Sequence, residues 1–329
     1  MQRRPVSGDQ HVLRVGDYTA VVASVGASLR SLTFQGRDLV VPFEADELRP
    51  AYRGTTLAPW PNRVVDGRYR FGDRDHQLAL TEPARSHALH GLVSWAEFDL
   101  VDVDDGRVTL ASTIEPQAGY PWRVVVATSY AVGVDGLTQT VRATNTSTTR
   151  APWGTGPHPY LVAGAGPLDS WDLELPADQV LEVSPDRLSP TRLREVDDDV
   201  PVFDFRAGRL IGDVEIDHAF TGLVRGLGGE ATVRITDPSG TGVAMAWDTS
   251  CAWVQIHTAD LPGGRTQTGH RAGLAVEPMT CAPDTFNADR YTHDTGLQVL
   301  APGGSATASW RIFAPGTASE GDASVPART

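Results

Sequence analysis

Two residues of this 329-residue chain combine a proton-transfer side chain with a stiffened backbone: His158 and Glu277. His158 lies in Gly154-Thr155-Gly156-Pro157-His158-Pro159-Tyr160, and Glu277 in Leu274-Ala275-Val276-Glu277-Pro278. Each directly precedes a proline, which pushes it to extended backbone, and Pro157 also fixes its own φ. Imidazole and carboxylate are general acid–base groups, and rigid support suits groups that must hold a geometry. Period-2 alternation at the end of a strand-like run puts Glu277 on the face of Ala275, opposite Leu274 and Val276. A small neighbour leaves room for a ligand. On spacing alone, a salt-bridged strand-end carboxylate and a loop histidine bonded to backbone remain open.

Other polar clusters sit beside apolar or proline-framed backbone. They are Trp60-Pro61-Asn62-Arg63, His87-Ala88-Leu89-His90-Gly91 and Pro283-Asp284-Thr285-Phe286-Asn287. The His87/His90 spacing turns the two rings to opposite faces of a strand, and no acidic third ligand is near, so no metal is expected. His87 reads as structural. Trp153 and Trp247 have flat apolar faces that suit a ring-shaped ligand, and core packing suits them equally. Cys251 and Cys281 form no CxxC, and two reduced thiols are expected, with Cys281 a small buried residue.

Composition removes several function classes. The formal charge is 28 − 41 = −13, which opposes a nucleic-acid backbone footprint. All 28 basic residues are arginine, so no lysine Schiff base, pyridoxal-phosphate anchor or P-loop lysine is possible. No apolar run approaches the ~18 residues of a membrane span. MQRRPVSGDQHVLRV has a paired arginine without an apolar segment behind it, so no export signal is expected and cytoplasm is the expected address.

The elements that must position these groups read as strands. Leu137, Gln139, Val141 and Ala143 alternate with Thr138, Thr140, Arg142 and Thr144, and Gly-containing turns such as Asp135-Gly136 separate many such segments. Residues 186–200 are polar and acidic and predict a loop or helical turn. No regular repeat or linker is present. The expectation is one all-β domain over 1–314, a large antiparallel β-sandwich, followed by a disordered tail over 315–329.

Five segments, in order, resemble the aldose 1-epimerase (galactose mutarotase-like) family: NRVVDGRYRF from Asn62, LHG at 89–91, GTGPHPYL at 154–161, DHAF at 217–220 and EPMTCAPDTFN at 277–287. The resemblance spans 18 to about 313. It implies a supersandwich with an open sugar cleft. It implies Glu277 as base, His158 as acid, and Arg63, His90 and Asp217 as sugar contacts, with Asn62 beside Arg63. Leu92 replaces a second glycine common after LHG. Pro157 and Pro159 replace the Asn and Ser of galactose-specific members. Both departures point away from galactose and toward a subgroup that includes sulfonated-sugar enzymes.

The implied reaction opens a cyclic hemiacetal, lets the carbonyl end rotate and recloses it. A carboxylate and an imidazolium meeting on opposite sides of the hemiacetal supply both proton transfers without cofactor or metal. Reference pKa values of about 4.3 and 6.5 make the glutamate ionised and let the histidine donate, with Asp217 expected to raise the histidine further. A glycosidase would instead use two carboxyls. The expected partner is a monosaccharide, and the expected state a monomer or homodimer. The alternatives are a hexose-6-phosphate epimerase, which needs converging arginines, and a catalytically silent sugar-binding module.

Overall fold

Alternation carries the core. Strand Val124–Gly133 buries every second residue, and Gly136–Asn145 buries Leu137, Gln139, Val141 and Ala143 as the sequence predicts. The computed structural model describes residues 3–316, so most of the expected tail over 315–329 lies outside the described residues.

Antiparallel pairing builds two large sheets. The nine-stranded sheet runs, in spatial order, Asp99–Val103, Arg107–Ile114, Val124–Gly133, Gly136–Asn145, Ser305–Phe313, Gly242–Trp247, Ala231–Thr236, Asp172–Glu174 and Arg209–Leu210. The six-stranded sheet runs Tyr160–Leu161, Leu274–Met279, Trp253–His257, Asp217–Leu223, Ala177–Val183 and Pro190–Glu195. A four-stranded sheet begins at Gln10–Val15. All three contribute to one apolar cluster, through Val126 and Val141, Val254 and Val276, and Leu13 and Val22. Burying such side chains gives each about 1.5–3 kcal/mol over exposure.

Residues 186–200 differ in part from the loop reading, because Pro190–Glu195 is an edge strand. Its charges mask the pattern: Arg192 and Arg194 both pair with Glu182 on the neighbouring strand. Glu277 does not end its strand either, since pairing continues through Pro278 to Met279. Tyr160–Leu161 pairs only with Ala275 and Leu274, so no strand there requires an amide hydrogen from Pro278.

The six-stranded sheet has two unlike faces. Val254, Ile256, Leu274 and Val276 enter the apolar cluster. Register places Tyr160, Ala275, His257 and Asp217 in a row across four strands on the other face, with Glu277 opposite Gln255 beside it.

Candidate active site

That second face is the floor of a cavity of about 120 Å³, lined by Ala51, Tyr52, Asn62, Arg63, His90, His158, Tyr160, Asp217, Gln255, His257 and Glu277. Three larger depressions, about 760, 780 and 560 Å³, lie around the Arg68–Gln77 hairpin. None contains a close carboxylate–imidazole pair, so the smaller cavity is the candidate site.

The walls are loops tied to each other through backbone. The His90 N–H donates to the Asn62 carbonyl at 2.9 Å, and the Asn62 Oδ1 accepts from the Arg63 N–H at 2.9 Å. Gly91 must lack a side chain: its φ is +73°, and a Cβ there would stand 2.1 Å from the Ala58 carbonyl oxygen. The His158 carbonyl accepts from the Gly54 N–H at 2.8 Å, fixing the proline-framed segment. Ala51, Tyr52, Asn62 and His90 all have φ between +45° and +60°. Four non-glycine residues in the left-handed region around one cavity mark a site where strain is held by its surroundings.

The sequence-selected pair meets here. His158 Nε2 lies 3.5 Å from Glu277 Oε1, and both side chains are almost fully buried. They are neighbours on one wall, which corrects the expectation of opposite sides. Both belong beside Ala275 and Tyr160, because their segments run against the same end of the six-stranded sheet.

Electrostatics correct the reference protonation states as well. Burial pushes the His158 imidazole down to about 3, with His257 adding to the effect; the opposing pull of Asp217 is too weak to reverse it. Burial and the nearby Asp217 push Glu277 well above the ordinary carboxylate range, against Arg63. The favoured form is a neutral pair carrying one proton. His90 is held neutral by burial and by the neighbouring His158 and Arg63.

Arg63 reaches the cavity but is engaged. Its Nε and Nη2 donate to Glu82 at 2.8 and 3.1 Å, and Nη2 lies 3.9 Å from Asp217 Oδ2. Burial opposes the Asp217 charge, but His257, Arg63 and the Gln255 amide outweigh it and hold Asp217 below its ordinary value. Gln255 Nε2 donates to Asp217 Oδ1 at 2.6 Å. Among the described residues, His90 Nδ1, His158 Nδ1, Gln255 Oε1 and Glu277 Oε2 are buried without a hydrogen-bond partner. Unpaired buried polar atoms are costly and rare.

A family model for aldose 1-epimerase matches residues 9–312. The chain belongs to the aldose 1-epimerase family. It is similar to the uncharacterized protein YihR of Escherichia coli K12, at 34% identity over 283 residues, covering 86% of this chain and 87% of that one. Among solved structures it resembles the GalM/aldose epimerase homologue from C. elegans (TM-score 0.78, 20% identity, 93% and 99% of the two chains). It also resembles galactose 1-epimerase from Lactobacillus acidophilus NCFM (TM-score 0.74, 17% identity, 95% and 97%). These matches show a mostly β, antiparallel, galactose mutarotase-like fold.

Within this family member the selected residues separate into two groups. His158, Glu277, Asn62, Arg63, His90 and Asp217 line the cavity. Trp153 does not, which corrects its selection: it is 1% exposed in the apolar cluster, on the pair Ala151–Trp153 and Gln298–Leu300. Trp247 is buried in the same cluster. A large apolar surface gains more from full burial than from a half-wet wall. His87 is structural, its ring accepting from the Asp66 N–H and bonding the Arg187 carbonyl. Asp284 holds the Arg63 strand, accepting from the Val65 N–H at 2.8 Å and from Asn287 and Tyr291. Burial pushes both cysteine thiols up to about 12.

Sequence reading missed Gln255, His257 and Tyr52. The first two sit at alternate positions of Trp253–His257, between apolar Val254 and Ile256, so period-2 alternation could have found them. Tyr52 lies in a short turn with no periodic signal.

Proposed function

We propose that this protein interconverts the α and β anomers of a free, neutral aldose. The observation that carries this reading is the His158–Glu277 pair at 3.5 Å, buried on a wall with unpartnered polar atoms around it.

Ring opening takes the proton from the anomeric hydroxyl and delivers one to the ring oxygen. The C1–O5 bond breaks with its electrons passing to the ring oxygen, and C1 becomes a carbonyl. Rotation about C1–C2 and the reverse transfers close the other anomer. The two oxygens share one carbon, so donor and acceptor on one wall suit them. Ionised Glu277 takes the proton and protonated His158 gives one. The neutral pair holds the same single proton, so the active form is reached by moving it, with no exchange with solvent. Arg63 favours the ionised carboxylate. Each transfer contributes ~10²–10⁴-fold.

The charge of the lining favours a neutral sugar. Arg63 is compensated by Glu82 and Asp217, leaving Glu277 and the neutral imidazoles of His90 and His158 to meet hydroxyls. A phosphate would find no uncompensated guanidinium on this wall, in contrast to the arginine cluster that a phosphorylated hexose needs.

The test is polarimetry or NMR of freshly dissolved α-glucose and α-galactose. Saturable acceleration that disappears in Glu277→Gln is the expected result. Tight sugar binding without acceleration overturns the reading in favour of a silent binding module.

A further inference from the structure

Burial is the largest influence on the His158 proton. Three rings surround that imidazole: His90 at 5.0 Å, Tyr160 at 5.3 Å and Tyr52 at 6.2 Å between centroids. His90 follows the paired strand His87–Leu89, and Tyr160 belongs to the paired strand Tyr160–Leu161. Tyr52 comes instead from the turn Pro50–Tyr52, which joins no sheet.

That turn is held over His158 from several sides. The Gly54 N–H donates to the His158 carbonyl at 2.8 Å, the Thr55 N–H to the Tyr52 carbonyl at 3.1 Å, and the Tyr160 hydroxyl to the Ala51 carbonyl at 3.4 Å. On the outer side the Trp95 ring lies 5.9 Å from Tyr52 and is itself covered by the Arg49 guanidinium at 4.4 Å. Arg49 is buried and donates to the Val25 and Ser94 carbonyls and the Ser28 hydroxyl. Ala51 and Tyr52 keep φ of +45° and +56°. Such backbone persists in non-glycine residues only where the surroundings impose it.

The charges around His158 are mixed. His257, on the strand Trp253–His257, and Arg49 oppose an imidazolium, while Asp217 favours one. Glu277 stands at 3.5 Å, and Arg63 is engaged by Glu82 and Asp217. His90 is neutral, and burial raises the hydroxyls of Tyr52 and Tyr160 so that both keep their protons. Burial outweighs these charges, and Tyr52 supplies the part of it that no paired strand provides. We propose that Tyr52 is a positioning residue: its ring closes the wall over His158 and keeps water from the imidazole, so that the single proton of the pair rests on Glu277 until a sugar enters. This deepens the anomerase reading above and rests on it for its catalytic meaning.

The experiment follows the ring nitrogens of His158 by NMR from pH 3 to 8 in the wild type, Tyr52→Ala, Tyr52→Asn and Tyr52→Phe. His158→Asn assigns the signal among the nine histidines. Asn tolerates positive φ, so it removes the ring without disturbing the turn and decides the matter if Ala folds poorly. The expected result is that Ala and Asn raise the titration of His158 by about one pH unit or more, toward 6.5, while Phe stays near the wild type. The acid limb of kcat/KM for glucose is expected to move up with it, an approximately tenfold loss below the limb for each unit. An unmoved His158 titration in folded Ala or Asn variants overturns the proposal, even where melting temperature falls, because packing alone would do that. So does a shift in Phe as large as in Asn, since the hydroxyl and not the ring would then be responsible. The NMR titration needs no turnover: a wild type that leaves glucose unaccelerated removes the anomerase reading, while the fate of Tyr52 is still read from His158.

Discussion

Gln255 and Glu277 are directly opposite each other on adjacent antiparallel strands, and the Gln255 side-chain amide donates a hydrogen bond to Asp217 on the strand beyond. Backbone register on one side and a diagonal side-chain hydrogen bond on the other therefore link the carboxyl proposed as base to the carboxylate proposed as sugar contact. Replacing Gln255 with Ala removes a hydrogen bond to a charged group, worth about 1.5–3 kcal/mol. The expected loss in kcat/KM is about 10- to 100-fold, with the melting temperature lowered by a few degrees, measured by polarimetry beside thermal denaturation.

Removing either member of the acid–base pair is expected to lower kcat by about 10²–10⁴-fold. Because the two share one proton, the double variant Glu277→Gln/His158→Asn should be little worse than either single one. Multiplicative losses in a double-mutant cycle would contradict shared action.

The pH dependence follows from one proton on the pair. Activity falls at low pH when the pair takes a second proton, and at high pH when it loses its only one. Burial lowers His158, so the acid limb lies below the ordinary histidine value of 6.5. Burial raises Glu277, so the alkaline limb lies above 4.5. A bell in kcat/KM belongs to the pair as a unit. A rate that is level from about pH 3 to 10 would remove the pair from the chemistry.

Stability should carry the same signature. His158 is depressed in the folded state, so its contribution is present above pH 6.5 and is lost as pH falls toward about 3, because the unfolded chain takes the proton first. His158→Asn is therefore expected to gain on the wild type as pH drops below 6.5, by at most about 1.4 kcal/mol per pH unit. Glu277 is raised and works oppositely: its contribution is full below 4.5 and is lost as pH rises through its folded value. Urea denaturation at several pH values separates the two.

Arg63→Ala leaves the half-buried Glu82 with Arg85 as its remaining partner. Losing hydrogen bonds between charged groups costs about 1.5–3 kcal/mol, so this variant is expected to be destabilised by that amount and inactive. Gly91→Ala should cost at least about 2 kcal/mol, because it meets both a positive φ and the Ala58 backbone. Equilibrium unfolding checks both.

Much of this protein was legible in its residues. Alternation in Leu137–Thr144 gave the sheet, the absence of lysine removed whole classes of chemistry, and prolines flanking His158 and following Glu277 marked the two groups that do meet. These are local properties, set by φ restriction and period-2 geometry within a few residues. Partnership was not local. That Gln255 and His257 share a face with Asp217 depends on which strands pair and in what register. That Trp153 is core and Trp95 half exposed depends on what packs over each, since the two indoles are chemically the same. That His158 is deprotonated depends on burial, which only the assembled sheets and loops create. Sequence chose the side chains; tertiary structure chose their neighbours, and the neighbours fix proton affinity and access.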